Sequence, residues 1–343
     1  MDFTLSDEQR MFADTAKALF GRTCTPEHWR RQMESGAAHD PERWQAIVDN
    51  GLTVMLLPEQ SGGLGLAEVD FMLIAEAAGY CCLPEPLVES AAVAAPMLAA
   101  MLPQAEVLGD PGARIAIGHP VNPFVTDAPT AAVLLLHHEG DAYLVDPQDV
   151  RLTPRTSIDP FRRLFVVEWT PARSRRLGAA DWDLALDRAA LFAAAQGLGL
   201  AQRAVDLAVT YAKEREQFGK PIGSYQAVKH LLASAQVGIE FARPVVFAAA
   251  ADICHRDLPA RARVSHAKIV ALEAADQAAR TSIQVHGAMG YSWEVDVHLL
   301  LKRTLALTHS WGTPGFHRTR VAERLFTRPC GPDQTFARET EYA

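Results

Sequence analysis

The stretch "AKEREQFGKPIGSYQAVKHLLASAQ", residues 212–236, reads as helix at both ends and is broken in the middle. Gly219, Pro221 and Gly223 fall within five residues. Proline removes a backbone donor and fixes φ, and glycine admits left-handed backbone, so one helix cannot run through. Arg215 and Gln217 stand just before the break. Two readings are open at this point. The stretch is an ordinary corner between helices, with Arg215 paired to Glu214 or Glu216, or it is a corner that presents polar groups to a ligand.

Working outward, the segment before the break, "WDLALDRAALFAAAQGLGLAQRAVDLAVTYAKEREQF" (182–218), is apolar and Ala-rich on most faces, which predicts a helix buried against several others. After it come "SYQAVKHLLASAQVGIEFARPVVFAAAADICH" (224–255) and "ARARVSHAKIVALEAADQAARTSIQVHG" (260–287), two further long helices. Long helices with short connections predict an up-down bundle, which sets a C-terminal domain at residues 179–330. Upstream the texture changes to short apolar runs between turn residues: "ARIAIG", "AAVLLLHH", "AYLVD" and "RLFVVEW". That is the strand signature, and it predicts a small β domain over 105–178. Residues 1–104 read as helical. Ser6 can cap a helix whose apolar Met11, Phe12, Ala16, Leu19 and Phe20 share a face, and "DPERWQAIVDNGL" starts another with Pro41 in its first turn and Gly51 as its stop. Residues 331–343 are set aside as a tail.

Length and composition bound the function. A chain of 343 residues, 49% hydrophobic and 22% charged, can bury a real core. A formal net charge of −8 gives no basic face for nucleic acid. No run of about 18 uninterrupted apolar residues occurs, so no membrane span is expected. Cysteines 24, 81, 82, 254 and 330 have neither metal-ligand spacing nor an even count, and the start of the chain lacks a signal-peptide pattern. A reducing cytoplasm is the expected compartment. His137, His138 and His309 lack Cys or carboxylate partners at ligand spacing, so no metal is expected.

Zone order and local motifs together resemble the acyl-CoA dehydrogenase family. The resemblance rests on "LPEQSGGLGL", "AQRAVDLAVTYAKEREQFGKPIGSYQAVKH" and "QVHGAMGYSWEVDVHLLLKR", and it covers nearly the whole chain. It implies a mostly α, α+β fold: an N-terminal helical domain, a small central β-barrel-like domain and a C-terminal four-helix bundle, with FAD held between subunits. Carried over residue by residue, Arg215 resembles the arginine on the FAD pyrophosphate of a neighbouring subunit. Gln217, Phe218 and Gln226 fall among its companions. Gln284, Gly287 and Ala288 match the Gln-x-x-Gly-Gly turn, with Ala288 in place of the second glycine, and Thr313 matches a further cofactor contact. A pyrophosphate needs a fixed guanidinium fork and close backbone N–H groups, which these residue types supply. Taken singly, each has a plainer reading as a surface residue, a helix-ending turn or a C-cap.

The departures carry as much weight. In many members the base that removes the α proton is a glutamate at a fixed offset after the Gln-x-x-Gly-Gly turn. Here 27 residues after Gln284 stands Trp311, with Gly312 and Thr313 keeping the frame. Other members place their glutamate on the first bundle helix, in or beside an Asp-x-x-Arg. Counting 28 residues back from Arg215 gives Asp187, which matches the substrate-contacting aspartate, but the two positions in play after it are Ala189 and Ala190. Losing a general base costs about 10²- to 10⁴-fold in rate. The resemblance therefore implies the short, base-lacking subunit of a heteromeric acyl-CoA dehydrogenase, an α2β2 assembly in which a catalytic partner supplies the base. It implies an acyl-CoA substrate, with a bulky steroid- or side-chain-derived ester as one candidate, and an electron-transfer flavoprotein as acceptor. The alternatives are a self-sufficient flavoenzyme with its base at Asp187 or Glu294, and a non-catalytic helical scaffold. Phe124-Val125-Thr126 is either a remnant flavin contact or an ordinary strand entry. The small side chains of "AALFAAAQGLGLA" either open a wide acyl pocket or allow close helix packing.

Overall fold

A computed structural model describes residues 4–327. The 331–343 tail and Cys330 lie outside them. The protein is mostly α with a small strand region. Its elements run α1 (Asp7–Thr23), α2 (Pro26–Ser35), α3 (Pro41–Asp49), α4 (Glu68–Tyr80), a π-helical stretch (Val88–Ala94) continued by α5 (Ala95–Met101), then β1 (Ile115–Gly118), β2 (Val125–Thr126), β3 (Val133–His138), β4 (Asp141–Val145), β5 (Arg151–Arg155), β6 (Leu164–Glu168) and β7 (Arg175–Ala179). There follow α6 (Trp182–Glu214), the two-residue strands β8 (Glu216–Gln217) and β9 (Lys220–Pro221), α7 (Gln226–Asp252), α8 (Leu258–His286), α9 (Val297–His309) and α10 (Pro314–Thr327). Packing groups the described residues into two compact units. One holds 11–74 and 83–189, the other 4–10, 75–82 and 190–327, so α1, α4 and α6 each contribute to both.

In the first unit the strands form a four-stranded sheet, β1-β3-β4-β7, and a three-stranded sheet, β2-β6-β5. Pairing is antiparallel except for the parallel β1–β3 ladder. Ala116, Val125, Leu134, Leu136, Tyr143 and Val145 make the apolar core between them. Ser90 fixes β1 to the π-helical stretch by accepting the Ile115 N–H at 2.8 Å. Arg43 is the polar keystone of the helices. Its buried guanidinium donates to both Glu85 oxygens at 2.6 and 2.8 Å, to Gln32 Oε1 at 2.5 Å and to the Thr23 carbonyl at 2.9 Å. A buried charge is tolerable only with that many partners.

In the second unit α8 is central, packed by α7, α9 and α10. The second half of α4, from Glu76 to Tyr80, meets α6 at unusually short range. A Cβ added to Gly199 would lie 2.0 Å from the Glu76 carbonyl oxygen, and one on Gly79 would lie 2.1 Å from that of Gln196. Gly197 similarly faces Leu272 at 2.9 Å. Ala193, Ala194, Ala195, Leu198 and Ala201 are fully enclosed. At these positions the small side chains of α6 serve close packing. By length and composition α6 could cross a membrane, but 89% of its apolar window is buried inside the protein.

Candidate functional site

The break inside residues 212–236 is a tight hairpin. β8 and β9 pair Glu216 with Pro221 and Gln217 with Lys220, leaving Phe218 and Gly219 as the two turn residues. Both take positive φ, 54° and 79°. Successive left-handed residues match a type I′ turn, and a phenylalanine held there costs about 1–2 kcal/mol relative to right-handed backbone. The conformation is held from below. The Ile222 N–H donates to the Arg215 carbonyl at 2.8 Å, and the Tyr225 hydroxyl donates to the Gln217 carbonyl at 3.2 Å. Lys220 Nζ lies 4.3 Å over the Tyr225 ring. The strained Phe218 is 92% exposed. Arg215 is exposed and pairs with neither Glu214 nor Glu216, so the ion-pair reading of this residue fails.

The second motif ends α8. Gly287 caps the helix at φ 61° and ψ −136°, backbone that only glycine adopts readily, and its N–H donates to the Gln284 carbonyl. A Cβ on Gly290 would meet the Ile283 carbonyl oxygen at 2.7 Å. Gln284, Gly287 and Ala288 are exposed. The structure brings this turn to the root of the hairpin. Ala208 and Ala212 of α6 pack on Val285 of α8, with Tyr211, Ile222, Val228 and Leu232 around them. The Tyr211 ring stacks on His286 at 4.3 Å, and His286 Nδ1–H donates to the Ser282 carbonyl at 2.7 Å. Burial holds the His286 imidazole below its ordinary pKa. Two segments some 70 residues apart in sequence thus share one small core. Gln226, at the first position of α7, is also exposed.

Thr313 lies elsewhere. It follows Trp311 and Gly312, two more positive-φ residues at 54° and 91°, and its hydroxyl accepts the Phe316 N–H at 3.3 Å, capping α10. Its turn rests on Lys268, sixteen residues before Gln284 on α8, about 24 Å at the helical rise. Trp311, in the expected base position, is 3% exposed. Sequence reasoning missed the group beneath it. Lys268 Nζ is buried and donates to the carbonyls of Ser310, Trp311 (3.2 Å) and Gly312 (2.7 Å). A lone lysine in an Ala-rich helix gave no motif to find it by.

Asp187 sits in the first unit, 3% exposed, and Ala189 and Ala190 beside it are equally enclosed. Glu294 is exposed. Asp187 is thus enclosed and Glu294 open to solvent. "LPEQSGGLGL" folds back on itself: the Leu64 N–H donates to the Val54 carbonyl and the Leu66 N–H to that of Met55, so the loop is structural. Thr126 lies in β2, buried, paired to Leu164. Among the described residues no group of three His, Cys, Asp or Glu could hold a metal.

The donor set fits a dinucleotide on the surface of the second unit. It has an unpaired guanidinium, exposed amide side chains, and backbone at Gly219 and Gly287 where a Cβ would meet nothing. It does not supply a proton acceptor at Trp311. Comparison with known proteins agrees on the family. Residues 6–103 match the acyl-CoA dehydrogenase N-terminal domain and residues 178–326 its C-terminal domain. The acyl-CoA dehydrogenase IpdE2 of Mycobacterium tuberculosis is 33% identical over 305 residues, covering 88% of this chain and 92% of that one. Its counterpart from Mycolicibacterium smegmatis is 31% identical over 325 residues, covering 94% and 100%. The ChsE4-ChsE5 complex from Mycobacterium tuberculosis contains a chain of the same fold, with a TM-score of 0.83 at 24% identity over 96% of this chain and 100% of that one. The chain belongs to the acyl-CoA dehydrogenase family and is an oxidoreductase of that type.

Proposed function

We propose that this chain is the FAD-lending subunit of a heteromeric acyl-CoA dehydrogenase, active in α,β-desaturation only beside a partner chain that supplies the catalytic base. One observation carries the reading: a preorganised, exposed, unpaired Arg215 hairpin is joined to the Gln284–Ala288 turn in a chain whose base position holds a buried tryptophan. Removing a weakly acidic α proton needs a carboxylate beside it and hydrogen bonds to the thioester oxygen as enolate character develops. Bound FAD supplies the hydride acceptor for the β carbon. Arg215 grips the pyrophosphate with its guanidinium fork, Gln217, Gln226 and Gln284 offer amide groups, and the backbone at Gly287 and Ala288 permits close approach. Phe218, exposed at the tip of the hairpin, stands among the companions of Arg215. Among the described residues, ten of the thirteen large exposed hydrophobic ones, including Phe218, Phe241, Tyr291 and Trp293, lie between residues 218 and 326, where an assembling partner would bury them.

An α2β2 assembly fits this division of labour, and the fold likeness to ChsE4-ChsE5, a complex of two named chains, supports it. The substrate is an acyl-CoA thioester. Fold likeness to a protein described as a steroid ACAD favours a bulky ester, whereas the close-packed alanines of α6 lend that choice no support. An electron-transfer flavoprotein completes the cycle. In the test, the chain is purified alone and with its co-expressed partner, and flavin content and acyl-CoA-dependent dye reduction are measured. The lone chain is expected FAD-poor and inactive. Arg215→Ala in the complex should weaken FAD binding about 10- to 100-fold, the worth of a charge-assisted pair. A yellow lone chain that turns over, or an FAD affinity indifferent to Arg215, would overturn the reading.

A further inference from the structure

The turn 310–313 is locked more tightly than its length requires. Lys268 has three N–H donors, and they meet the carbonyls of three consecutive residues, Ser310, Trp311 and Gly312. The Trp311 carbonyl takes a second donor, His317 Nε2–H, at 2.8 Å. That bond fixes the tautomer, so His317 Nδ1 accepts from the Ser265 hydroxyl at 3.0 Å. Lys268, Ser265 and His317 are all buried. Burial, reinforced by the nearby Lys268 charge, holds His317 neutral with a pKa of about 3. Gly312 has no room for a side chain, since a Cβ would lie 2.6 Å from Phe316 and 2.8 Å from His317 Nε2. Each element of the hub points inward. Within the turn 310–313, Thr313 is the exposed residue, directly after two left-handed residues.

We propose that Lys268 and His317 are positioning residues for cofactor binding: they lock the Ser310–Gly312 main chain so that Thr313 is presented outward, in one conformation, to the FAD that the assembly holds. This rests on the reading of Thr313 as a cofactor contact. Burying a lysine in a cage of neutral carbonyls costs desolvation that an apolar residue would avoid, and the turn it holds contains a strained tryptophan. Fixing a binding group in advance cuts the entropy lost on binding, which is how such a cost is offset.

The test uses the complex with its co-expressed partner and the variants Lys268→Met, His317→Leu, His317→Gln and Thr313→Val, with Arg215→Ala as benchmark. Two quantities are read: hydrogen exchange of the amides at 312–317 against those of α7, and FAD affinity by flavin fluorescence. Lys268→Met and His317→Leu should speed exchange in the turn alone and weaken FAD binding by about 10-fold, the worth of one buried hydrogen bond left unmade. His317→Gln, which keeps a donor to the Trp311 carbonyl, should restore both. If Lys268→Met does not fold, the His317 pair decides. A loosened turn with unchanged FAD affinity overturns the proposal, and so does a loss that His317→Gln fails to rescue, or indifference to Thr313→Val. Indifference to Arg215→Ala with a hub effect intact would sink the lending reading and leave the hub standing.

Discussion

Replacing Trp311 with glutamate puts back the residue that the acyl-CoA dehydrogenase frame calls for, and the expectation is that it restores nothing. The indole is 3% exposed, and truncating a buried tryptophan costs about 3–5 kcal/mol. The incoming carboxylate would sit in that enclosed space. The cation fixed at this turn is Lys268, whose donors already go to the carbonyls of Ser310, Trp311 and Gly312. The new carboxyl must either stay protonated, and so be useless as a base, or draw Lys268 out of its cage and free the turn. A well-placed base is worth about 10²- to 10⁴-fold, which flavin bleaching by acyl-CoA and dye-coupled turnover would detect easily. The isolated Trp311→Glu chain, reconstituted with FAD, should show no gain in either, and its urea midpoint should fall by the equivalent of about 3 kcal/mol or more. A gain of about 10²-fold, or an unchanged midpoint, would refute this reasoning.

Two further outcomes follow from burial. Asp127, after β2, is enclosed at φ 55°, and burial, with Glu89 nearby, pushes its carboxyl up to about 7 from an ordinary 3.8. The folded state then binds more protons than the unfolded one between about pH 4 and 7, so this group's contribution to stability is lost as pH rises through that window. His39, 3.5 Å away and pushed down to about 3 by burial and by Arg114, Arg163 and Arg43, works in the opposite direction as pH falls below its ordinary 6.5. Asp127→Asn, which tolerates left-handed backbone, should therefore gain on the wild type between pH 5 and pH 8 in paired urea titrations; a constant or shrinking difference would contradict the assignment. Gly199→Ala should cost at least about 1–3 kcal/mol of overpacking, because its Cβ would lie 2.0 Å from a main-chain oxygen, and an unshifted denaturation midpoint would show that α4 and α6 can part.

The helices were legible because their signals are local. Ser6 accepts the Gln9 N–H while Gln9 accepts that of Ser6, the capping pair that opens α1, and Ala16, Leu19 and Phe20 are buried as the apolar face required. Met11 breaks that pattern, being mostly exposed. Strands β1, β3, β4 and β6 correspond to the four apolar runs read from sequence; β1 is an edge strand like β7, but its Ile115, Ala116 and Ile117 are buried and so keep an apolar signature. β5 and β7 were missed for a common reason: "RLTPR" and "RRLGA" are edge strands, where charge and proline are tolerated and no buried face imposes alternation. The hairpin at 216–221 read only as a corner, since strands of two residues carry no period. At the site, the family resemblance marked Arg215 and Gln284, but nothing in the order of residues shows that Tyr211 and His286 join them, or that Lys268 lies under Trp311. Those are relations across helix faces, and a single chain without pairing information does not display them.

The Tyr211–His286 stack has a consequence for how such a surface can be moved or altered. The hairpin and the Gln284 turn behave as two prongs of one clamp whose hinge pin is a neutral ring pair. Grafting "REQFGKPIG" onto another helical scaffold would carry the arginine without the pin, and the grip would not travel with it. On the proposed reading, a partner chain would meet both prongs already set at their spacing, and recognition would be a matter of matching a rigid gauge.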